Sequence, residues 1–327
     1  MYQSTIQRFP EVVFLRAFAI DEFGADGSVH ELPDPTPGEG QVRVRVEAAS
    51  VNPADIGMLS GAYKDFMPHH FPLVPGLDLA GTVDTLGPGV QGLTVGDPVF
   101  GVHGKMSVGE GTFAEYAIAS VGTIARRPED VDPPFGTALS LAGVSALEMV
   151  DATALREGDV VVIVGATGGI GSIATQLVAA RHGIPLAVTR TVNHAYAREL
   201  GAAETLDYET GELVNAVRAA HPEGIAAVLD MVGDKEAIGR LAELVRPGGH
   251  VVSMMGAADA DALASLKVTG VNVRTQATTE KLERLAGFVA IGTLRRPEIT
   301  TLPLGNAGQA LAEIAGRHVR GKLVIQP

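Results

Sequence analysis

Residues 160–183, VVVIVGATGGIGSIATQLVAARHG, constrain the fold of this chain more than any other stretch. Five consecutive Val and Ile residues read as a buried strand. Gly165, Gly168, Gly169 and Gly171 then make a turn into an Ala/Leu-rich helix. A tight strand-to-helix turn needs residues without Cβ crowding, and the helix start offers unpaired N–H groups and partial positive charge. Gly168, Gly169 and Ile170 are therefore the candidates to hold a pyrophosphate through their backbone. Glycine kept for packing alone is the competing reading, and it is the one adopted for Gly171.

The surroundings favour the phosphate reading. Strand candidates at 185–189, 204–207, 225–230 and 249–254 alternate with helical stretches at 169–182, 193–200, 211–220 and 234–245. That alternation implies a parallel sheet covered by helices on both faces. Gly248-Gly249, after Arg246-Pro247, is expected to end one helix before its strand. VNVRTQ (271–276) is expected to extend the sheet at its edge. The strand before the second helix ends in Val188-Thr189-Arg190-Thr191, with no acid beside it in sequence. An NAD site usually carries an acid there. Arg190 can pair a 2′-phosphate, helped by the Thr189 and Thr191 hydroxyls, which points to NADPH; an exposed surface arginine is the alternative.

The chain before residue 130 has a different texture. VRVRVEAAS (42–50), LAGTVDTLG (79–87) and FAEYAIAS (113–120) read as strands, separated by turns such as Gly87-Pro88-Gly89 and Gly96-Asp97. Residues 136–154, 280–295 and 306–318 read as helices, and KLVIQ (322–326) as a last strand returning to the first domain. A length of 327 residues suits two domains. No apolar run is long enough to span a bilayer. The start, MYQSTIQRFPEVVFLRAF, lacks the pattern of a secretory leader, so a cytoplasmic location is expected. Cysteine is absent and the nine histidines are scattered, which leaves no thiolate metal site. A net charge of −13 without a basic cluster argues against nucleic acid as a partner.

Several motifs together carry a resemblance: ASVNPAD (49–55), PLVPGLDLAGTV (72–83), VGDPVFG (95–101), GTFAEYA (111–117), LSLAGVSAL (139–147), ELGAAETLDY (199–208), VLDMVG (228–233), RPGGHVVSMMG (246–256) and HVRGKLVIQP (318–327). With the glycine-rich turn, they make the chain resemble the zinc-independent quinone oxidoreductases, zeta-crystallin-like members of the medium-chain dehydrogenase/reductase superfamily. The resemblance covers nearly the whole length. It implies an α/β architecture: a GroES-like β-rich catalytic domain (1–126, completed by 278–327) and an inserted Rossmann domain with a doubly wound parallel sheet (127–277). It also implies an active site in the cleft between them and a homodimer formed through the edge strand 271–276.

The same resemblance assigns residues. The zinc ligands of the related alcohol dehydrogenases correspond here to Asn52, Leu77 and Leu141, which are not a ligand set, so no metal is expected. Hydride transfer from NADPH to a small electrophile, a quinone or an α,β-unsaturated carbonyl, is the implied chemistry. Asn52 and Ser145 resemble residues beside the nicotinamide and its ribose, with turn or cap roles as alternatives. Asp55 is read as orienting the turn that carries Asn52, with a buried structural acid as the equal alternative. Tyr63 falls where related reductases place an active-site tyrosine, with packing as the alternative. Tyr208, Val232, Met255, Gly256 and Lys322 resemble residues lining the cofactor, though Lys322 also reads as a surface lysine. Many relatives carry a lysine where this chain has Asn193. His69 and His70 are expected in a surface loop. An enoyl reductase acting on a thioester or polyketide-like intermediate, and a non-catalytic NADPH-binding sensor, are the competing functional readings.

Overall fold

The computed structural model describes residues 14–104, 107–211 and 213–327. Most of the N-terminal stretch read for a leader, together with Lys105, Met106 and Glu212, lies outside them.

Val160–Val164 and Ile225–Asp230 form the centre of a six-stranded sheet. The order across it is Glu204–Leu206, Ile184–Val188, Val160–Val164, Ile225–Asp230, Val245–Ser253, Thr269–Asn272, and every pair is parallel. Taken in chain order this is 3-2-1-4-5-6, the doubly wound Rossmann arrangement. The continuous apolar runs exist because both faces are covered. Val161 and Ile163 pack with Ile173 and Leu177 of one helix layer, while Val162 and Val228 pack with Ile238 and Leu241 of the other. The strand order reverses between the two central strands, so a crevice opens at their carboxyl ends, where the glycine-rich turn lies.

The other sheet is β-rich and mostly antiparallel. Its path runs Ile299–Pro303, Lys322–Gln326, Gln41–Ser50, Asp78–Leu86, Pro98–Val102, Ile124–Arg126, and Tyr116–Ser120 pairs with Gln41–Ser50 off that path. Val42, Val44 and Val46 are buried while Arg43 and Arg45 alternate outward, the period of a sheet with one covered face. The C-terminal strand rejoins this sheet through Val324↔Ser50 and Ile325↔Ala49. A short parallel bridge, Gly168↔Gly321, then joins its entry to the glycine-rich turn of the other sheet.

Four local expectations need correction. First, Gly248 and Gly249 do not end a helix. That helix stops at Ala242, and both glycines lie inside the strand Val245–Ser253. Gly248 has φ +85°, and a Cβ on Gly249 would come within 2.4 Å of Ala226 O, so they allow an irregular register beside the neighbouring strand. Second, the edge strand is Thr269–Asn272 and takes up only the start of 271–276. Beyond it the chain is drawn towards the helix Val144–Asp151, with Gln276 N–H donating to Glu148 and the Thr275 hydroxyl 2.6 Å from Ser145 Oγ. Third, 136–154 is not one helix. A π-helical segment, Leu139–Gly143, interrupts it because Leu141 N–H donates to Asp78 at 2.8 Å. Fourth, exposed His69 and His70 open the short strand His69–Val74 rather than a loop.

Gly321 has φ +67°, and a Cβ there would lie 1.9 Å from Glu298 O. Gly321→Ala is expected to destabilise the fold by about 2 kcal/mol or more. A urea melt checks this, and an unchanged midpoint would show that the crossing tolerates a side chain.

Candidate functional site

The helix Gly169–Ala180 begins without a side-chain cap. Asp132, Asp234, Asp259 and Thr278 each accept a first-turn N–H of the helix they precede. Gly168 occupies the equivalent position here and has no side chain to do so. The N–H groups of Gly169 and Ile170 find no acceptor among the described residues. A Cβ on Gly169 would meet the Lys322 stem at 2.7 Å. Gly171 is a packing residue, as expected, because a Cβ there would lie 2.1 Å from Gly165 O. The open N–H groups and the side-chain-free approach fit a pyrophosphate.

A buried polar junction lies directly behind this turn. Gly321 N–H donates to Thr167 O at 2.8 Å. Lys322 is 4% exposed, and its ammonium donates to Val51 O (3.0 Å) and Asn52 Oδ1 (2.8 Å). Asn52 Nδ2 donates to Asp78 Oδ2 (2.8 Å) and Ser50 O (3.2 Å). Asp78 also accepts from the Ser50 hydroxyl and from Leu141 N–H. Asp55 accepts from Asn52 N–H (2.7 Å) and Gly76 N–H (3.2 Å), so it does hold the turn that carries Asn52. The side chains at Leu77 and Leu141 have no lone pairs to offer a metal. Among the described residues no group of three or more His, Cys, Asp or Glu is placed to hold one.

The Tyr63 ring packs over Gly57, beside Met58 and Leu77, and its hydroxyl has no hydrogen-bond partner among the described residues. Ser145 is buried, and its hydroxyl is engaged with Leu141 O and Thr275. Val232 and Met255 are about half exposed on loops after the fourth and fifth sheet strands, and Val232 lies against Gly165. Gly256 follows with φ +73°. Asp230 shapes these loops by accepting from Val232 N–H, Gly233 N–H and the Ser253 hydroxyl. Sequence reasoning gave no role to Asp230 or Asp78; an acid inside an apolar strand run, as in IAAVLD, is the signal that marks Asp230.

The expected 2′-phosphate end differs in part. Arg190 is half-buried, with no ion pair among the described residues. Tyr208 is 46% exposed. Thr189 is buried, however, and its hydroxyl is 2.8 Å from Thr167 Oγ1. An acid is also close by. Asp207, distant in sequence, accepts from both the N–H and the hydroxyl of Thr191. The Thr191 hydroxyl first, then the N–H groups of Glu209 and Thr191, hold its pKa below the usual carboxylate value.

A profile of the alcohol dehydrogenase GroES-like domain matches residues 38–129, and one for zinc-binding dehydrogenases matches 200–325. The chloroplast envelope quinone oxidoreductase homolog of Arabidopsis thaliana is 28% identical, over 93% of this chain and 95% of its own length. The chloroplastic NADPH-dependent alkenal/one oxidoreductase of the same plant is 28% identical, over 88% of this chain and 72% of its own. The quinone oxidoreductase structure from Coxiella burnetii superposes with a TM-score of 0.87 at 27% identity, covering 96% of this chain and all of that one.

Burial raises the Asp55 pKa from 3.8 to about 7, against the opposing pull of the Asn52 and Gly76 N–H groups and of Lys322; Asp78 adds to the rise. The folded protein therefore keeps a proton that the unfolded chain has released between about pH 4 and pH 7. Stability from this group falls as pH rises through that window. Asp55→Asn is expected to be less stable overall, through a lost acceptor, but with a flatter dependence across the window. Parallel stability curves from chemical denaturation would show that Asp55 does not titrate there.

Proposed function

The chain belongs to the medium-chain dehydrogenase/reductase superfamily, among its quinone-oxidoreductase-type members, and from that premise we propose that it is an NADPH-dependent reductase of quinones or α,β-unsaturated carbonyls. The observation that carries the reading is the uncapped glycine turn backed by a junction in which the Asn52 amide is held between the Asp78 carboxylate and the Lys322 ammonium. When bound, the cofactor supplies hydride, and an electron-poor acceptor needs only to be held against it with water excluded.

The residues divide by task. The backbone of Gly168, Gly169 and Ile170 takes the pyrophosphate. Val232, Met255 and Gly256 line the nicotinamide side. Arg190 pairs the 2′-phosphate, with Tyr208 packing beside it. Thr189, with its hydroxyl turned to Thr167, supports this loop from within. Tyr63 offers its hydroxyl to a substrate oxygen. Asn52 and Ser145 form the buried floor of the pocket. The boundaries 1–126, 127–277 and 278–327, a homodimer through the edge strand and its continuation, and a cytoplasmic location complete the reading. No helix among the described residues is long and apolar enough to cross a membrane.

NADPH absorbance, followed against a panel of quinones, enones and enoyl thioesters, is expected to fall with a quinone or an enone. Tight NADPH binding without oxidation by any acceptor would refute the enzyme. For the cofactor, Arg190→Ala is expected to weaken NADPH by about tenfold and NADH little, since a charge-assisted pair is lost. Asp207→Asn is expected to act oppositely, favouring NADPH by removing an anion near the phosphate. Isothermal titration with both dinucleotides checks the pair, and equal changes for NADPH and NADH would overturn the assigned site.

A further inference from the structure

The Asn52 amide is polarised from both ends. Its oxygen accepts from the Lys322 ammonium and its nitrogen donates to the Asp78 carboxylate, each at 2.8 Å. Turning the amide over would set an N–H against an ammonium and a carbonyl oxygen against a carboxylate. Two buried charges therefore enforce one orientation where an isolated asparagine has two of similar energy. Lys322, Asn52 and Asp78 are all nearly inaccessible, so water cannot screen them.

Lys322 also fixes where this amide stands. Its backbone follows Gly321, which is bonded to Thr167 O, and its own N–H donates to Glu298 O at 2.9 Å. Its stem passes under Gly169, and its head ends on Val51 O and Asn52 Oδ1. One side chain thus measures the separation between the phosphate turn and the catalytic-domain loop. Asp78 carries the restraint onward to Leu141 N–H and so to the π-helical segment before Ser145.

We propose that Lys322 is a positioning residue that sets the orientation and height of the Asn52 amide, with Asp78 as its buried counter-charge, so that the phosphate turn and the pocket floor move as one unit. This rests on the reductase reading for its consequence in turnover, but not for its structural content.

The test uses the full-length protein and the variants N52A, K322M, D78N and K322M/D78N, with N52A also combined with K322M and with K322M/D78N. Losing the lysine strands the buried Asp78 carboxylate, so K322M is read against the wild type where it folds, and otherwise K322M/D78N is read against D78N. Selective labelling of asparagine, with N52A giving the assignment, reports the Asn52 side-chain amide by nuclear magnetic resonance without any cofactor. Removal of Lys322 is expected to shift this resonance pair and to speed its hydrogen exchange by roughly tenfold or more. In steady-state assays with NADPH and an enone, removal of Lys322 is expected to lower kcat by roughly ten- to a hundredfold. Adding N52A to the same background is expected to cost little more, because both act through one group. An unmoved Asn52 resonance, or an N52A effect that adds in full, would overturn the proposal. Should the wild type reduce no acceptor, the reductase reading fails and the resonance alone decides the positioning claim.

Discussion

Everything in this molecule converges on one buried ammonium. Lys322 lies on the last strand of the β-rich sheet, runs beneath the glycine turn of the parallel sheet, and ends on the loop that carries Asn52. The connection is short because Gly321 bridges to Gly168, at a position where a Cβ would lie 1.9 Å from Glu298 O. A positive charge in such a place is tolerable only beside compensating acids, and burial pulls its pKa down while Asp78 and Asp55 hold it up. The return of the C-terminal strand to the first sheet is therefore the step that completes the site.

Buried carboxylates organise the surrounding loops in the same manner. Asp55 gathers the N–H groups of Asn52 and Gly76, Asp78 gathers Ser50, Asn52 and Leu141, and Asp230 gathers Val232, Gly233 and Ser253. Each satisfies donors that would otherwise be orphaned in a dry interior. A loop held by hydrogen bonds to a buried acid keeps a shape that depends on charge balance.

Much of this was legible in the sequence. The strands Val160–Val164, Ile225–Asp230 and Lys322–Gln326 coincide with their apolar runs, because such runs leave a buried strand no other face to show. The glycine turn is equally local. What could not be read depends on distant partners. The π-helical break at Leu139–Gly143 exists because Asp78 competes for Leu141 N–H. The edge strand ends early because Thr275 and Gln276 are held by Ser145 and Glu148. Sequence left the second strand's end without an acid, yet folding brings Asp207 onto Thr191 from the next strand. Lys322 read equally as a surface lysine, since nothing in GKLVIQ signals that its head is buried.

The central claim is that one side chain ties dinucleotide binding to the pocket floor. A crystal structure of the wild-type protein with NADPH tests it most directly. The account predicts the pyrophosphate on the N–H groups around residues 168–170, with the Lys322 ammonium still on Asn52 and Val51. A cofactor bound elsewhere, or a Lys322 head group withdrawn from Asn52 when the dinucleotide enters, would contradict it.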